Sequence, residues 1–328
     1  MSAAEKPLVL VTRRRPGAAL ARLESACAVD LHAASGSLPP AALRERVKGK
    51  HGLVCLVTDA IDRQVIEAAD DLRIIANVAV GYDNIDVAAA RARGIVVTNT
   101  PDVLTGAVAE FTWGLILAVT RRIAEGDRLV RSGGWSGWAL DFMLGMELCG
   151  KRLGIVGPGR IGRAVAERAA AFGMDVVAAG SGASTERSVR RADDAPGTRR
   201  VSLDELLVSS DVVSLHVPLS AETRHLIDRR ALTRMKRTAF LINAARGPVV
   251  DEAALAWALR ERLIAGAALD VYEREPAVEH ELLALEQVVL APHLGSATRD
   301  TRTAMAELAA ANVAEVLSGR PPLTPVAS

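Results

Sequence analysis

The chain has 328 residues, half of them apolar, and a formal net charge of +1. That length and apolar fraction provide for a large core and two domains. The near-neutral charge, the lack of a long basic run and an aromatic content of 3 % argue against a nucleic-acid interface, whether electrostatic or stacking. The longest apolar run, within 111–120, is too short to span a bilayer. The opening MSAAEKPLVLVTRRR enters a strand directly, with no signal-peptide pattern. Cys27, Cys55 and Cys149 are scattered without metal-ligand spacing. They read as reduced thiols of a cytoplasmic protein, and no metal site or membrane association is expected.

Taken in order, short apolar runs at 8–13, 28–32, 53–58, 74–80 and 95–98 alternate with helical patterns at 17–25, 41–48, 62–69 and 85–93. Such alternation predicts a parallel sheet with crossover helices. The loop Thr100-Pro101-Asp102 leads into a long amphipathic helix over 105–123. A strand at 153–156, a helix at 161–172 stopped by Gly173 and a strand at 175–179 follow. Further elements are a helix at 203–209, strands at 211–217 and 239–243, a helix at 251–262, and strands at 265–271 and 288–292. The polar, Arg-rich segment 184–200 reads as a mobile surface loop. The last helix, 298–317, carries Met305, Leu308, Val313 and Leu317 on an apolar side. No strand follows it, so it is expected to cross back to the first domain. The fold class is α/β: two doubly wound parallel-sheet, Rossmann-like domains. The first covers 1–102 plus 296–328 and is discontinuous; the second covers 103–295.

Gly157, Gly159 and Gly162 have the G-x-G-x-x-G spacing, between a strand and a helix, which is the context required of a dinucleotide-binding turn. The first glycine permits the tight turn, the second lets backbone approach a pyrophosphate, and the third lets helix pack on strand. The helix N-terminus then faces the anion. Beyond the carboxyl ends of later strands of this domain stand Arg246, Glu275 and His293. Ligands of open α/β sheets bind in that crevice. Each residue alone is an ordinary loop or packing group; three converging beside a nicotinamide-type fold are candidates for chemistry.

Seven segments carry a resemblance that spans essentially the whole chain: VGYDNID (80–86), TPDVLT (100–105), GPGRIG (157–162), HVPL (216–219), NAARGPVVDE (243–252), ALDVYEREP (268–276) and APHLGSAT (291–298). In this order they resemble the D-isomer-specific 2-hydroxyacid dehydrogenases. TPDVLTGAVAE and SGGWSGWALD are most similar to the glyoxylate/hydroxypyruvate reductase branch. The resemblance implies NAD(P)H-dependent reduction of a small 2-keto acid. His293 would donate the proton to the carbonyl oxygen, and Glu275 would orient the imidazole and favour its protonated form. Arg246 would grip the substrate carboxylate and carbonyl with its donor fork. Backbone N–H groups at Val80 and Gly81 would bind the carboxylate's other side, so that substrate bridges the domains and closure excludes water. Arg160 and Ile161 would line the pyrophosphate turn, Asp270 would meet the nicotinamide carboxamide, and His216 and Pro218 would lie beside the adenosine, His216 as a packing group. Gly180, Ser181, Ala244 and Gly295 complete the implied cofactor contacts. Trp138, with Trp135 on the arm GGWSGW, would reach a partner's active site or pack a homodimer interface.

One departure bears on the cofactor. NAD-preferring sites place an acid about 20 residues past the glycines to bond the ribose 2′-OH. Here residues 179–182 read Ala-Gly-Ser-Gly, and Asp175 comes too early. Ser181, with Arg187, Arg190 and Arg191 beyond it, suits a 2′-phosphate, so NADP is expected over NAD. Other readings stay open: a lactate- or phosphoglycerate-type enzyme, or a dinucleotide-sensing corepressor that keeps the same three residues. The formate branch is disfavoured because it carries Gln where this chain has Glu275. A chain ending at 328 leaves no room for the regulatory domain of many phosphoglycerate enzymes. A methyltransferase would not account for Arg246, Glu275 and His293.

Overall fold

The computed structural model describes residues 6–14, 16–34, 36–180 and 194–326. The chain divides into two compact units, 1–104 with 297–328 and 105–296.

In the first unit, β1 (Leu8–Val11), α1 (Ala19–Ala26), β2 (Ala28–Leu31), α2 (Pro40–Arg46), β3 (Gly52–Cys55), α3 (Arg63–Glu67), β4 (Ile74–Asn77), α4 (Val87–Ala92) and β5 (Val96–Thr98) alternate as the apolar runs predict. The five strands are all parallel, in the order β2-β1-β3-β4-β5. Side-chain alternation splits the sheet between two faces. Leu10, Leu53, Cys55, Ile75 and Val97 join the cluster that includes Leu43, Val65, Ile66 and Ala90 from α2, α3 and α4. α3 and α4 start where Asp62 and Asp86 accept the amides of Val65 and Ala89.

In the second unit the elements are α5 (Thr105–Thr120), α6 (Ile123–Arg131), β6 (Arg152–Val156), α7 (Arg160–Ala169), β7 (Asp175–Ala179), β8 (Arg199–Arg200), α8 (Leu203–Ser209), β9 (Val212–Leu215), α9 (Arg229–Arg234), β10 (Phe240–Asn243), α10 (Glu252–Arg260), β11 (Gly266–Leu269), α11 (His280–Leu283) and β12 (Val288–Leu290). Seven parallel strands run β12-β11-β10-β9-β6-β7-β8. The order reverses between β6 and β9, the switch point at which such sheets bind ligands. Ile155, Ala178, Ile242 and Ala268 pack towards α5 and α7. Val156, Val177, Leu241 and Leu269 pack towards α8, α9 and α10. The last helix, α12 (Arg299–Leu317), packs on α1, β3 and β4 and completes the first unit.

Several boundaries differ from the sequence reading. The helix expected over 105–123 ends at Thr120, because Arg122 takes a left-handed φ of 55° and a separate helix, α6, follows. Within 184–200, residues 184–193 lie outside the described set, but Arg199–Arg200 pairs with β7 as a short edge strand. α9 and α11, six and four residues long, were too short to show a helical period. On α12 the buried face runs through Met305, Ala306, Ala309 and Val313, with Leu308 and Leu317 only half-buried.

The glycine turn after β6 holds a close backbone approach. Gly157 has φ 89°, and a Cβ there would stand 2.7 Å from Val217 and 2.8 Å from the His216 backbone. A Cβ on Gly162 would stand 2.4 Å from the carbonyl oxygen of Gly157. That oxygen is backbone and has nowhere to retreat. Gly162→Ala is therefore expected to cost about 1–3 kcal/mol by overpacking and to weaken dinucleotide binding. Thermal unfolding and cofactor titration of the variant check both; a wild-type melting temperature would refute the close-packing argument.

Candidate active site

Every strand of the second sheet is parallel, so the loops after β6, β9, β10, β11 and β12 gather at one edge. The loop after β12 carries His293. Its left-handed φ of 54° is uncommon for a residue with a Cβ and costs about 1–2 kcal/mol. The turn is held by its amide, which donates to the carbonyls of Asp270 (2.9 Å) and Ala291 (3.1 Å). Asp270, 1 % exposed at the end of β11, clasps the same turn with its carboxylate. Oδ1 accepts the Leu294 amide at 2.6 Å and Oδ2 the Gly295 amide at 2.8 Å. Burial pushes the Asp270 carboxyl above the usual range, against the pull of those two amides and of His293.

The loop after β11 carries Glu275, whose Oε2 lies 2.9 Å from His293 Nδ1. Its Oε1 accepts the Tyr272 amide at 3.1 Å. Burial alone would raise the Glu275 carboxyl. The bond and charge of His293, the Tyr272 amide and the charge of Arg246 outweigh it and bring the group below its ordinary value. A carboxylate only accepts, so Nδ1 of His293 carries the hydrogen between them and Nε2 is left as the second ring nitrogen. Tyr272, whose hydroxyl donates to the Ala291 carbonyl at 2.9 Å, braces the β11 loop against β12; burial raises it to about 12.

Arg246 follows β10 on a loop pinned by Asn243. The Asn243 side chain donates to the Arg246 carbonyl (2.9 Å) and accepts the Ala245 amide (3.1 Å). Gly247 then lies so close to the next loop that a Cβ would fall 1.9 Å from the carbonyl of Tyr272 and 2.4 Å from the Glu273 nitrogen. The Arg246 and Glu275 loops are thus packed backbone on backbone. His293, Glu275, Asp270 and Gly295 form one cluster, with Arg246 close enough to act on Glu275 by charge.

The turn after β6 fits a dinucleotide. α7 starts at Arg160 with Gly159 as its N-cap and no side-chain cap, and a helix N-terminus of this kind attracts an anion. A Cβ on Gly159 would meet nothing within 4 Å, so the approach is open. Ile161 and Ala244 are half-buried; Arg160, Gly180 and Pro218 are exposed around this end. His216, at the end of β9, shares a 2.9 Å hydrogen bond between Nε2 and Ser214 Oγ, while its Nδ1 is buried with no protein partner. The residue keeps some exposed surface, yet burial of the ring pushes it down to about 4, so it is neutral at neutral pH. Ser181, Arg187, Arg190 and Arg191 lie outside the described residues. A separate cavity of about 900 Å³ opens at the amino-terminal ends of the strands, beside Lys151, Asp211, Phe240 and Ala265, on the edge away from these residues.

In the first unit, Val80 and Gly81 lie just past β4. Three consecutive carbonyls there are tied down: Ala79 by the Thr100 amide (2.8 Å), Val80 by Asn99 Nδ2 (2.7 Å) and Gly81 by Asn77 Nδ2 (2.9 Å). In a trans peptide the N–H points opposite to the C=O. The amides of Val80, Gly81 and Tyr82 are therefore directed away from those anchors. Neither asparagine was singled out in the sequence. Trp138 is 81 % exposed on the segment after α6, and the Trp135 Nε1 donates to the Gly137 carbonyl.

The model for the NAD binding domain of D-isomer specific 2-hydroxyacid dehydrogenases matches residues 113–295. The chain belongs to this family. A glyoxylate reductase of Thermofilum pendens is 49 % identical over 321 residues, covering 97 % of this chain and 93 % of that one. The crystal structure of a Thermus thermophilus protein matches with a TM-score of 0.89 at 48 % identity, covering 98 % of this chain and 100 % of that one. An NADPH-dependent glyoxylate/hydroxypyruvate reductase of Sinorhizobium meliloti, solved with NADP and malonate, gives 0.85 at 35 % identity, covering 98 % and 97 %. As a member, the chain is an NAD(P)-dependent oxidoreductase of 2-hydroxy acids. Among its described residues, no helix is long and apolar enough to cross a membrane, and no group of three His, Cys, Asp or Glu is placed to hold a metal.

Proposed function

We propose that this dehydrogenase reduces glyoxylate and similarly small 2-keto acids, with His293 as proton donor. The observation that carries the reading is the His293–Glu275 pair at 2.9 Å, on the same sheet edge as the glycine turn. The relatives described as glyoxylate reductases, at 45–49 % identity, support the substrate class. A nicotinamide held beside the glycine turn would supply the hydride for the carbonyl carbon. His293 Nε2 gives its proton to the carbonyl oxygen, and the half-exposed ring is reprotonated from solvent. Glu275 keeps the hydrogen on Nδ1 and balances the charge of the imidazolium. Arg246 holds the carboxylate and polarises the carbonyl through its planar fork. Val80 and Gly81 are assigned amide contacts to the carboxylate. Asp270 is assigned the carboxamide, and Gly157, Gly159, Arg160, Ile161 and Gly162 the pyrophosphate. Gly180, Ser181, His216, Pro218, Ala244 and Gly295 line the rest of the cofactor.

His293→Ala is expected to lower kcat at least about 100-fold while cofactor affinity stays near wild type; NADPH oxidation with glyoxylate and fluorescence titration measure the two. Activity near wild type in that variant would remove His293 from the mechanism.

The preferred cofactor in this reading is NADPH, because Gly180 stands where an NAD-type site carries its acid. A 2′-phosphate then meets no repulsion. kcat/KM is expected to be higher with NADPH than with NADH, and a preference for NADH would reverse the assignment.

A homodimer, in a reducing cytoplasm that suits three free thiols, completes the proposal. Its support is an exposed apolar run on one segment: Ile123, Val130, Trp135, Trp138, Leu140, Phe142 and Leu144. Exposed apolar side chains concentrated in one segment are what a protein–protein contact covers. Light scattering is expected to return twice the 34.6 kDa chain mass, and a monomer at micromolar concentration would sink this part.

A further inference from the structure

One buried acid near the catalytic pair has no role in the chemistry so far. Glu252, the first residue of α10, is 4 % exposed. Its Oε1 accepts the amide of Glu273 at 2.7 Å and its Oε2 the amide of Glu279 at 3.3 Å. These amides bracket the loop that carries Glu275, so a single carboxylate spans both ends of that loop. The same stretch of chain leads back from Glu252 through Asp251 to Gly247, which packs directly on the Tyr272–Glu273 peptide. The loop is thus fixed at its first residues from two directions and at its last by the second carboxylate oxygen.

We propose that Glu252 is a positioning residue of the reaction: by stapling Glu273 to Glu279 it sets the Glu275 carboxylate at hydrogen-bonding distance from His293. This rests on the reading of Glu275 and His293 given above. The arrangement is more than a fold anchor because the staple encloses the residue that must meet the imidazole. Tyr272, whose amide orients Glu275 Oε1, is the immediate neighbour of the stapled Glu273. A slackened loop therefore loses both the direction and the distance of the Glu275 side chain.

The charges around the staple are few. Glu252 faces the like charges of Glu273 and Glu279, and its burial and those charges raise its carboxyl against the two amide bonds. Glu273 is paired with His225, and Glu279 lies 3.6 Å from Arg274. On the reacting side, Glu275 faces His293 and Arg246, and Asp270 is the remaining acid acting on His293. None of these charges can take over the two amides held by Glu252.

The test uses the full-length chain with Glu252→Gln, which keeps shape but presents an NH2 group to one of the two amides. Glu252→Asp, one methylene too short to reach both, is the second variant, and Glu275→Gln is the benchmark. Two readouts go beyond stability. The first is kcat and KM for glyoxylate across pH. The second is the titration of the His293 ring followed by NMR on 13C-histidine-labelled protein, with the signal assigned by its loss in His293→Asn. In Glu252→Gln, kcat is expected to fall about 10- to 100-fold through misplacement of the pair, with cofactor affinity unchanged. The basic limb of the reduction profile and the His293 titration should both move to lower pH, because an imidazolium without a well-placed carboxylate is disfavoured. The shift should lie in the direction of Glu275→Gln and be smaller in Glu252→Asp. Wild-type kcat and an unmoved His293 titration in both variants, even with a lowered melting temperature, would overturn the proposal and leave a structural staple only. If the wild-type chain reduced no 2-keto acid, the functional reading would fail, yet the NMR comparison would still decide whether Glu252 governs the pair.

Discussion

A carbonyl oxygen of Gly157 occupies the space where any side chain on Gly162 would begin, 2.4 Å from the place of its Cβ. This contact fixes how near α7 can come to β6, and with it where the helix N-terminus ends. Because Gly157 is itself packed on the His216 backbone, at 2.8 Å from the place of its Cβ, the turn is also fixed against β9. β6 and β9 are the two strands at which the sheet order reverses. An anion-binding helix terminus placed there lies at the edge that parallel pairing gives to Asn243, Asp270 and the chain leading to His293. Arg246, Glu275 and His293 need no separate device to reach the edge of the glycine turn; the register of one sheet brings them there.

Three acids crowd that edge, and burial sorts them. Asp270 and Glu252 are almost fully withdrawn from water, and in both the desolvation of the charge outweighs the amides that bond it. Glu275 is about a third exposed and has cationic neighbours, so the balance reverses and its carboxyl is lowered. The two inner acids serve as acceptors for backbone that must not move: the His293 turn in one case, the Glu275 loop in the other. The outer acid, its carboxyl lowered, is the one that touches the imidazole. The same residue type is thus used twice as a clasp and once as a counter-ion, with solvent access deciding which.

The sheets, the crossovers and the glycine turn were readable because each is written in local patterns: short apolar runs, helical spacing and a glycine triplet. Arg246, Glu275 and His293 were readable only in combination, and their naming rested on a resemblance. The break at Arg122 was hidden because the apolar pattern of α5 runs on into Ile123 without a glycine or proline to mark the left-handed residue. β8 was hidden because two arginines at a sheet edge look like loop. Glu252 closes the segment NAARGPVVDE, but that segment does not reveal what the carboxylate holds. Its partners are backbone amides 21 and 27 positions away, and a backbone amide looks the same in every residue but proline. The sequence around it, Val-Val-Asp-Glu, announces only a helix start, which Asp251 supplies by accepting the Ala254 amide.

The same blindness to amides applies to the first unit, where the proposed carboxylate contacts carry no charge. Asn77 and Asn99 stand at the carboxyl ends of neighbouring strands, one position past the paired residues Ala76 and Thr98. Each uses its Nδ2 to hold down one carbonyl of the Val80–Gly81 stretch. Orienting a dipole this way is an electrostatic act. Once the carbonyl end is fixed, the opposite N–H end presents a positive face that needs no reorganisation when an anion arrives. A lysine in that place would bring a full charge, but on a flexible stem that must be ordered and desolvated. Preset amides give less attraction and more direction. Direction is what a two-carbon substrate requires, since it has only a carboxylate and a carbonyl by which to be held.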